Sequence, residues 1–291
     1  MADQRFSGVI GLLHRAGVAC ANAVGGPNAS WRRSLSPWVG RALHAATFGR
    51  GVATDINGAT FRIDPRHRVF MQPDYESPVA SFLRERVRPG HCCLDVGAHV
   101  GVYALQLGRW VSPGGRVVAF EPHPGTAEVL RRHLRMNRLE SVVTVEAVAL
   151  GARHADGVLF GSAASGMSRL RSANPALPGH DVEETRVTVL TMDEYCGGKH
   201  LQPDWIVIDV EGLEMDVLSG ATRTLEHASV VAEFHPDLWV ASGWSREAVT
   251  TLLSSLGLRA VGLTGQRAPL DEYGVVALER ARQTTTGTPL S

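Results

Sequence analysis

The stretch Cys93-Leu94-Asp95-Val96-Gly97-Ala98-His99-Val100-Gly101-Val102-Tyr103 constrains this chain more than any other. A short apolar run enters a glycine bend and then a helical pattern, a unit that brings backbone N–H groups and a helix N-terminus up to a ligand. Around it, strand and helix signals alternate. Strands are predicted over 92–96, 116–120, 142–147, 205–209 and 230–234, and helices over 77–87, 102–110, 125–137, 215–218 and 246–256. The first two helices are stopped by Pro89-Gly90 and by Ser112-Pro113-Gly114-Gly115. Such alternation implies an α/β fold, a mostly parallel sheet with helices on both faces. Two closing strands are expected near 258–263 and 274–278, and a further strand pair at 149–158 and 186–190 around a polar Gly/Ser-rich segment.

Residues 1–66 read as an appended cap. Its helical part carries Val9, Leu12, Leu13 and Val18, then Trp38, Val39, Leu43 and Phe48, as apolar positions; a hairpin over 52–63 turns at Asn57-Gly58. The main domain is expected over 67–281, and a disordered Thr-, Gly- and Pro-containing tail over 282–291. A chain of 291 residues can bury a full core in one such domain. Its 29 Lys+Arg balance its 29 Asp+Glu, so there is no global positive field to draw it onto nucleic acid or an anionic membrane, and a small, near-neutral partner is expected. No base-flipping signature is present either. Cys20, Cys92, Cys93 and Cys196 form no C-x-x-C pair and read as reduced thiols of a cytoplasmic protein. No apolar run reaches the roughly 18 residues of a membrane span, and His14-Arg15 interrupt any signal-peptide core. Lys199, the only lysine, is expected in a Gly-rich turn, which removes lysine as a catalytic base.

Asp95 stands at the strand end just before the first glycine. A carboxylate there repels a pyrophosphate and suits a ligand bearing an ammonium group, so a cationic nucleoside cofactor is favoured over a dinucleotide. Gly97, Ala98, His99, Gly101 and Tyr103 form the bend and helix start against that ligand. Glu121, at the end of the next strand and about 20 residues beyond the bend, is placed for two ribose hydroxyls, with Pro122 after it. Glu146-Ala147-Val148 ends the third strand at the same rim, where an adenine edge can lie against Ala147 and Val148. Glu76, ahead of the first core helix, is a further cofactor candidate. Each acid alone is equally an ordinary surface or capping carboxylate; their order and spacing favour the binding role.

Asp95-Val96-Gly97-Ala98-His99-Val100-Gly101, Phe120-Glu121-Pro122, Met136-Asn137, Thr191-Met192-Asp193, Asp209-Val210-Glu211-Gly212 with Glu214, Val217-Leu218-Ser219-Gly220-Ala221 and Glu233-Phe234-His235-Pro236 together resemble the FkbM-type methyltransferases, over roughly 68–235. The resemblance implies a class I, Rossmann-like methyltransferase fold with a seven-stranded sheet, S-adenosylmethionine as donor, and O-methylation of natural products or of sugars. It also brings Asn137 and Asp209 into the cofactor site. His99 stands where the family usually has Asn, and Val207 where it has a lysine two positions before the D-x-E-G aspartate.

Methyl transfer to oxygen requires the acceptor to be held near the methyl and its proton removed. Asp209 and Glu211 leave one strand end, and Glu233 and His235 the next, so four titratable groups are expected on one rim. His235 or Glu211 is the expected general base, with Asp209 positioning acceptor or cofactor. Asp209 and Glu211 are also an alternative pair of oxygen ligands for a divalent cation, whereas no Cys/His zinc pattern exists. Met167 and Ser168, in the polar stretch 161–181, and Trp239, with Trp244, are candidates for the acceptor wall; a surface loop and core packing are the competing explanations. An NAD-dependent oxidoreductase and a non-catalytic binding protein of the same fold are the rival readings. Oligomeric state is not legible.

Overall fold

A computed structural model describes residues 30–161, 169–170 and 183–281. Helix α1 (Ser30–Ala46) and the antiparallel hairpin β1 (Val52–Ile56) and β2 (Ala59–Ile63) come first. A 3-10 turn over Pro65–Phe70 and helix α2 (Ser77–Arg84) then lead to β3 (Cys92–Val96) and α3 (Val102–Trp110). The next units are β4 (Arg116–Phe120), α4 (Pro124–Asn137), β5 (Val143–Glu146), β6 (Ala149–Leu150), β7 (Ala155–Gly161), β8 (Arg169–Leu170) and β9 (Glu183–Leu190). Helix α5 (Met192–Lys199), β10 (Trp205–Ile208), α6 (Glu214–Ser219), β11 (Ser229–Phe234), the one-turn α7 (Pro236–Trp239), α8 (Arg246–Ser255), β12 (Leu258–Gly262) and β13 (Gly274–Arg280) complete the described chain.

The main sheet has seven strands in the order β12-β13-β11-β10-β3-β4-β5. Strands β3, β4, β5, β10 and β11 run parallel, and only β13 opposes its neighbours. An antiparallel strand inserted between β11 and β12 separates this order from the 3-2-1-4-5-6 order of dinucleotide-binding sheets and matches the class I methyltransferase expectation. The chain leaves β3 in one direction toward β4 and returns on its other side as β10, so a crevice opens at their C-terminal ends.

Successive side chains of a strand point to opposite faces, and both faces here are covered. Cys93, Val117, Val207, Val231 and Val275 enter one core layer with Leu83 of α2, Leu105 of α3 and Leu130 of α4. Leu94, Val118, Ile206, Val230 and Val276 enter the other with Met192 of α5, Val217 of α6 and Leu253 of α8. Each of the buried Val, Leu and Ile side chains among them contributes roughly 1.5–3 kcal/mol.

The hairpin belongs to the first layer, through Ile56, Phe61 and Ile63. Its turn falls at Asn57 (φ 49°) and Gly58 (φ 78°), two left-handed residues as a tight hairpin requires. Asn137 fastens it to α4: its side chain accepts from Arg62 N at 2.8 Å and donates to Arg62 O at 2.7 Å. Next to it lies Asp64, fully buried, which accepts from Arg66 Nε at 3.0 Å and Arg132 at 3.1 Å and sits 3.2 Å from His44 Nδ1. Helix α1 departs from the expected apolar stripe. Trp38 and Phe48 are 67% and 85% exposed, because α1 meets the 3-10 turn through Gly40, where an added Cβ would lie 3.0 Å from Pro65 O, and through His44.

The expected further strand pair is a separate four-stranded sheet, order β6-β9-β7-β8. Lys199 ends α5 instead of lying in a turn; His200 (φ 53°) closes that helix. Among the described residues no helix is long and apolar enough to cross a membrane. Cys92, Cys93 and Cys196 are free and buried.

Candidate functional site

The crevice at the strand ends is a cavity of about 300 Å³. Its floor is the bend after β3. Gly97 (φ 87°) sits where an added Cβ would be 1.8 Å from Asp209 O, so glycine is the only residue that lets β3 and β10 end side by side. Gly97 N and Ala98 N both donate to Phe120 O at 3.0 Å, tying the bend to β4. Gly101 faces away from the cavity: a Cβ there would meet Leu130 Cδ1 at 2.3 Å, so it is a packing glycine for α3 against α4.

Two acids guard this bend. Asp95 is 3% exposed, and its Oδ2 is buried without a hydrogen-bond partner. Burial pushes its carboxyl up to about 7, against a stabilising bond from Ala104 N–H. Glu121, also pushed up to about 7 by burial, accepts from His99 N and His123 N at 2.9 Å each. Those bonds fix the carboxylate yet leave lone pairs for further donors. His99 itself is left-handed (φ 48°), stacks edge-on against Phe70 at 4.6 Å, and is kept neutral by burial, its pKa lowered to about 4.

The opposite rim is acidic too. Glu76, left-handed at φ 41°, accepts from Tyr103 OH at 2.5 Å, and burial raises its pKa. Asp209 is raised well above the usual carboxylate range, first by burial and then by the charge of Glu233 beside it. Two full charges about 4 Å apart repel by roughly 4 kcal/mol at an effective dielectric of 20, so such a pair takes up a proton or a cation. Tyr273 donates to Glu233. His235 stands behind, its Nδ1 2.9 Å from Glu214 Oε1 and its Nε2 3.7 Å from Glu211 Oε2. Burial disfavours its charge, but the bond and charge of Glu214 prevail and raise its pKa.

Of the residues singled out from the sequence, Glu76, Asp95, Gly97, Ala98, His99, Tyr103, Glu121, Pro122, Val148, Asp209, Glu211 and Glu233 line the cavity. Gly101, Asn137, Ala147 and His235 do not; Asn137 holds the hairpin and Ala147 is exposed. Trp239 is a correction: 2% exposed, it donates to Glu214 Oε2 at 2.8 Å and packs on Phe234 at 5.2 Å, so it belongs to the core and not to an acceptor wall. Trp244 likewise donates to Asp216 at 3.2 Å. Met167 and Ser168, with most of the 161–181 stretch, lie outside the described residues, as do 1–29 and the tail 282–291. The groups placed to share a metal ion with Asp209 are Glu233 and His235, not Glu211.

Sequence reasoning missed Phe70, Tyr75 and Tyr273, which line the cavity from two connections, Phe70 and Tyr75 between β2 and α2 and Tyr273 just before β13, with no local pattern to mark them. It also gave Glu214 no role. Fully buried, Glu214 accepts from Gly212 N, Trp239 Nε1 and His235; an acid two residues past a glycine was the available signal.

An S-adenosylmethionine molecule fits these groups: Asp95 Oδ2 offers an uncompensated buried charge to a cation, Glu121 offers acceptors to hydroxyls, and the Gly97 bend admits close approach. Residues 95–259, more than half the chain, match the methyltransferase FkbM domain. The chain is 26% identical over 240 residues to methyltransferase sdnD of Sordaria araneosa, covering 69% of this chain and 90% of that protein. To the hexuronic acid methyltransferase AglP of Haloferax volcanii it is 27% identical over 233 residues, covering 77% and 87%. A solved O-methyltransferase from Bacillus cereus in complex with SAH is similar with a TM-score of 0.43 and 13% identity, over 71% of this chain and 81% of that one. With a domain match of that extent laid over the glycine bend and the acidic rim, the chain belongs to the FkbM family of S-adenosylmethionine-dependent methyltransferases.

Proposed function

We propose that this protein methylates a hydroxyl oxygen of a small molecule or sugar. The observation that carries the reading is the buried, unpartnered Asp95 Oδ2 at the glycine bend, which suits a cationic donor and not a pyrophosphate. Gly97, Ala98 and His99 cradle the donor through their backbone, Glu121 holds its ribose, Pro122 and Val148 flank its base, and Glu76 with Tyr103 closes the near wall. The donor supplies an electrophilic methyl on a sulfonium for in-line displacement.

On the acceptor side, Phe70, Tyr75 and Tyr273 supply apolar and hydroxyl-bearing walls suited to a sugar ring or a polyol. Glu211, left-handed at φ 52° and lining the cavity, takes the acceptor's proton; its Oε2 lies 3.7 Å from His235 Nε2. No Lys or Arg is among the described residues lining the cavity, so an uncharged hydroxyl is the acceptor that costs least to bring in. AglP, by its name, acts on a hexuronic acid, which supports the sugar class.

Calorimetry with S-adenosylmethionine, its demethylated product and NAD, followed by donor consumption over a panel of sugars and phenols, tests the reading. Both sulfur compounds should bind and NAD should not. Glu211→Gln should lower turnover by about 10²–10⁴-fold with donor affinity retained. Uptake of NAD without S-adenosylmethionine would overturn the proposal.

A further inference from the structure

Asp209 directly follows β10, Glu233 lies at the end of β11 and His235 directly follows it. Each offers a ligand atom, and those atoms lie within 4.8 Å of one another. Parallel pairing of the two strands fixes this closeness, since Ile208 stands opposite Ala232 in the ladder.

Three features indicate what belongs between them. Asp209 Oδ1 is buried and has no hydrogen-bond partner. Three of the six carboxylates that line the cavity, Asp209, Glu211 and Glu233, cluster at the ends of β10 and β11, with no Lys or Arg among the described lining residues to balance them. His235 is held in the pose of a metal-binding histidine: its Nδ1 is engaged 2.9 Å from the fully buried Glu214, which is itself fixed by Trp239 Nε1 at 2.8 Å and Gly212 N at 2.8 Å. A carboxylate behind one ring nitrogen sets the tautomer and leaves the other nitrogen as a ligand. That other nitrogen, Nε2, lies 3.7 Å from Oε2 of Glu211, a residue of the cavity lining.

We propose that Asp209, Glu233 and His235 form a binding site for one divalent cation on the acceptor side of the cavity, with Glu214 as the residue that positions His235. Two carboxylates suit Mg²⁺ or Mn²⁺, and the imidazole favours Mn²⁺ of the two. Three protein ligands leave coordination positions for water and for an acceptor oxygen. An acceptor hydroxyl drawn to the ion gives up its proton more readily, and Glu211 is beside it to receive that proton. This use of the site rests on the proposed methyl transfer; the site itself does not. Without a cation, the Tyr273 hydroxyl donates to Glu233, and the two states are distinguishable.

The full chain, freed of metal with a chelator, is titrated with Mn²⁺ alone and followed by electron paramagnetic resonance, then challenged with excess Mg²⁺. One Mn²⁺ per chain is expected, displaced by Mg²⁺. Glu233→Gln and His235→Gln should each weaken Mn²⁺ binding about tenfold or more, and Glu214→Gln by about 10–100-fold. Retained circular dichroism and S-adenosylmethionine affinity in Glu233→Gln and His235→Gln establish that these variants are folded. Absence of Mn²⁺ uptake by the unsubstituted chain, or uptake that neither of these two variants weakens, overturns the site. Failure of S-adenosylmethionine to bind an otherwise Mn²⁺-competent chain would count against the methyltransferase reading alone.

Discussion

Asp64 has its carboxylate fully buried between Arg66, Arg132 and His44. Burial alone would raise its pKa, yet the hydrogen bonds and charge of Arg66 hold it far below the usual carboxylate range. A depressed folded pKa means that the stabilisation is complete above the ordinary value of about 4 and is lost as pH falls from there toward the folded value. Melting temperatures of the wild type should therefore drop between about pH 5 and pH 3 more steeply than those of Asp64→Asn. At pH 7 that variant should be less stable by about 2 kcal/mol, an amount tempered by the partial exposure of both arginines. Asp95 and Glu121 are displaced the other way, to about 7. A cationic donor needs them ionised, so its affinity should rise as pH is raised from 6 to 7.5, as calorimetry at several pH values would show; a flat profile would deny them that role. Gly97→Ala should drive the ends of β3 and β10 apart by forcing a methyl onto Asp209 O, lowering both melting temperature and donor affinity.

The β1–β2 hairpin illustrates what is legible at the level of the element. Asn57-Gly58 marks its turn in the sequence and the turn falls there, because only a few residues accept two consecutive positive φ angles. Gly58→Ala should cost about 1–2 kcal/mol in chemical denaturation, from backbone strain alone, since the space beside Gly58 is open. The strands of the main sheet were equally legible, from apolar runs bounded by Pro and Gly. Helix α5 was not: Gly197-Gly198 read as a turn, and Met192, Tyr195 and Cys196 bury among residues distant in the chain, Tyr195 edge-on to Phe120 of β4 at 4.8 Å. The partners of β7 and β9 lie far apart along the chain, so their sheet could be anticipated as a pair but not as four strands. In α1, apolar periodicity misled, because contact runs through Gly40 and His44, which carry no hydrophobic signal.

In the molecule as a whole, cofactor and fold are linked. A ligand seated between the ends of β3, β4 and β10 bridges both arms of the sheet, so donor at a hundredfold excess over its dissociation constant should add about 2.7 kcal/mol. Differential scanning calorimetry should register this as a rise of roughly 5–10 °C, with no rise for NAD. The cavity residues at the ends of β3 and β4 were readable because they follow one another along the chain. Phe70, Tyr75 and Tyr273 were not, because folding brings their two segments together. One remote feature has a practical use. Because Lys199 is the sole lysine, exposed at the end of α5 and absent from the cavity lining, an amine-reactive dye has a single side chain to label. Such a fluorophore, with the α-amino terminus as its one competitor for label, can report tumbling while every side chain lining the cavity stays chemically untouched.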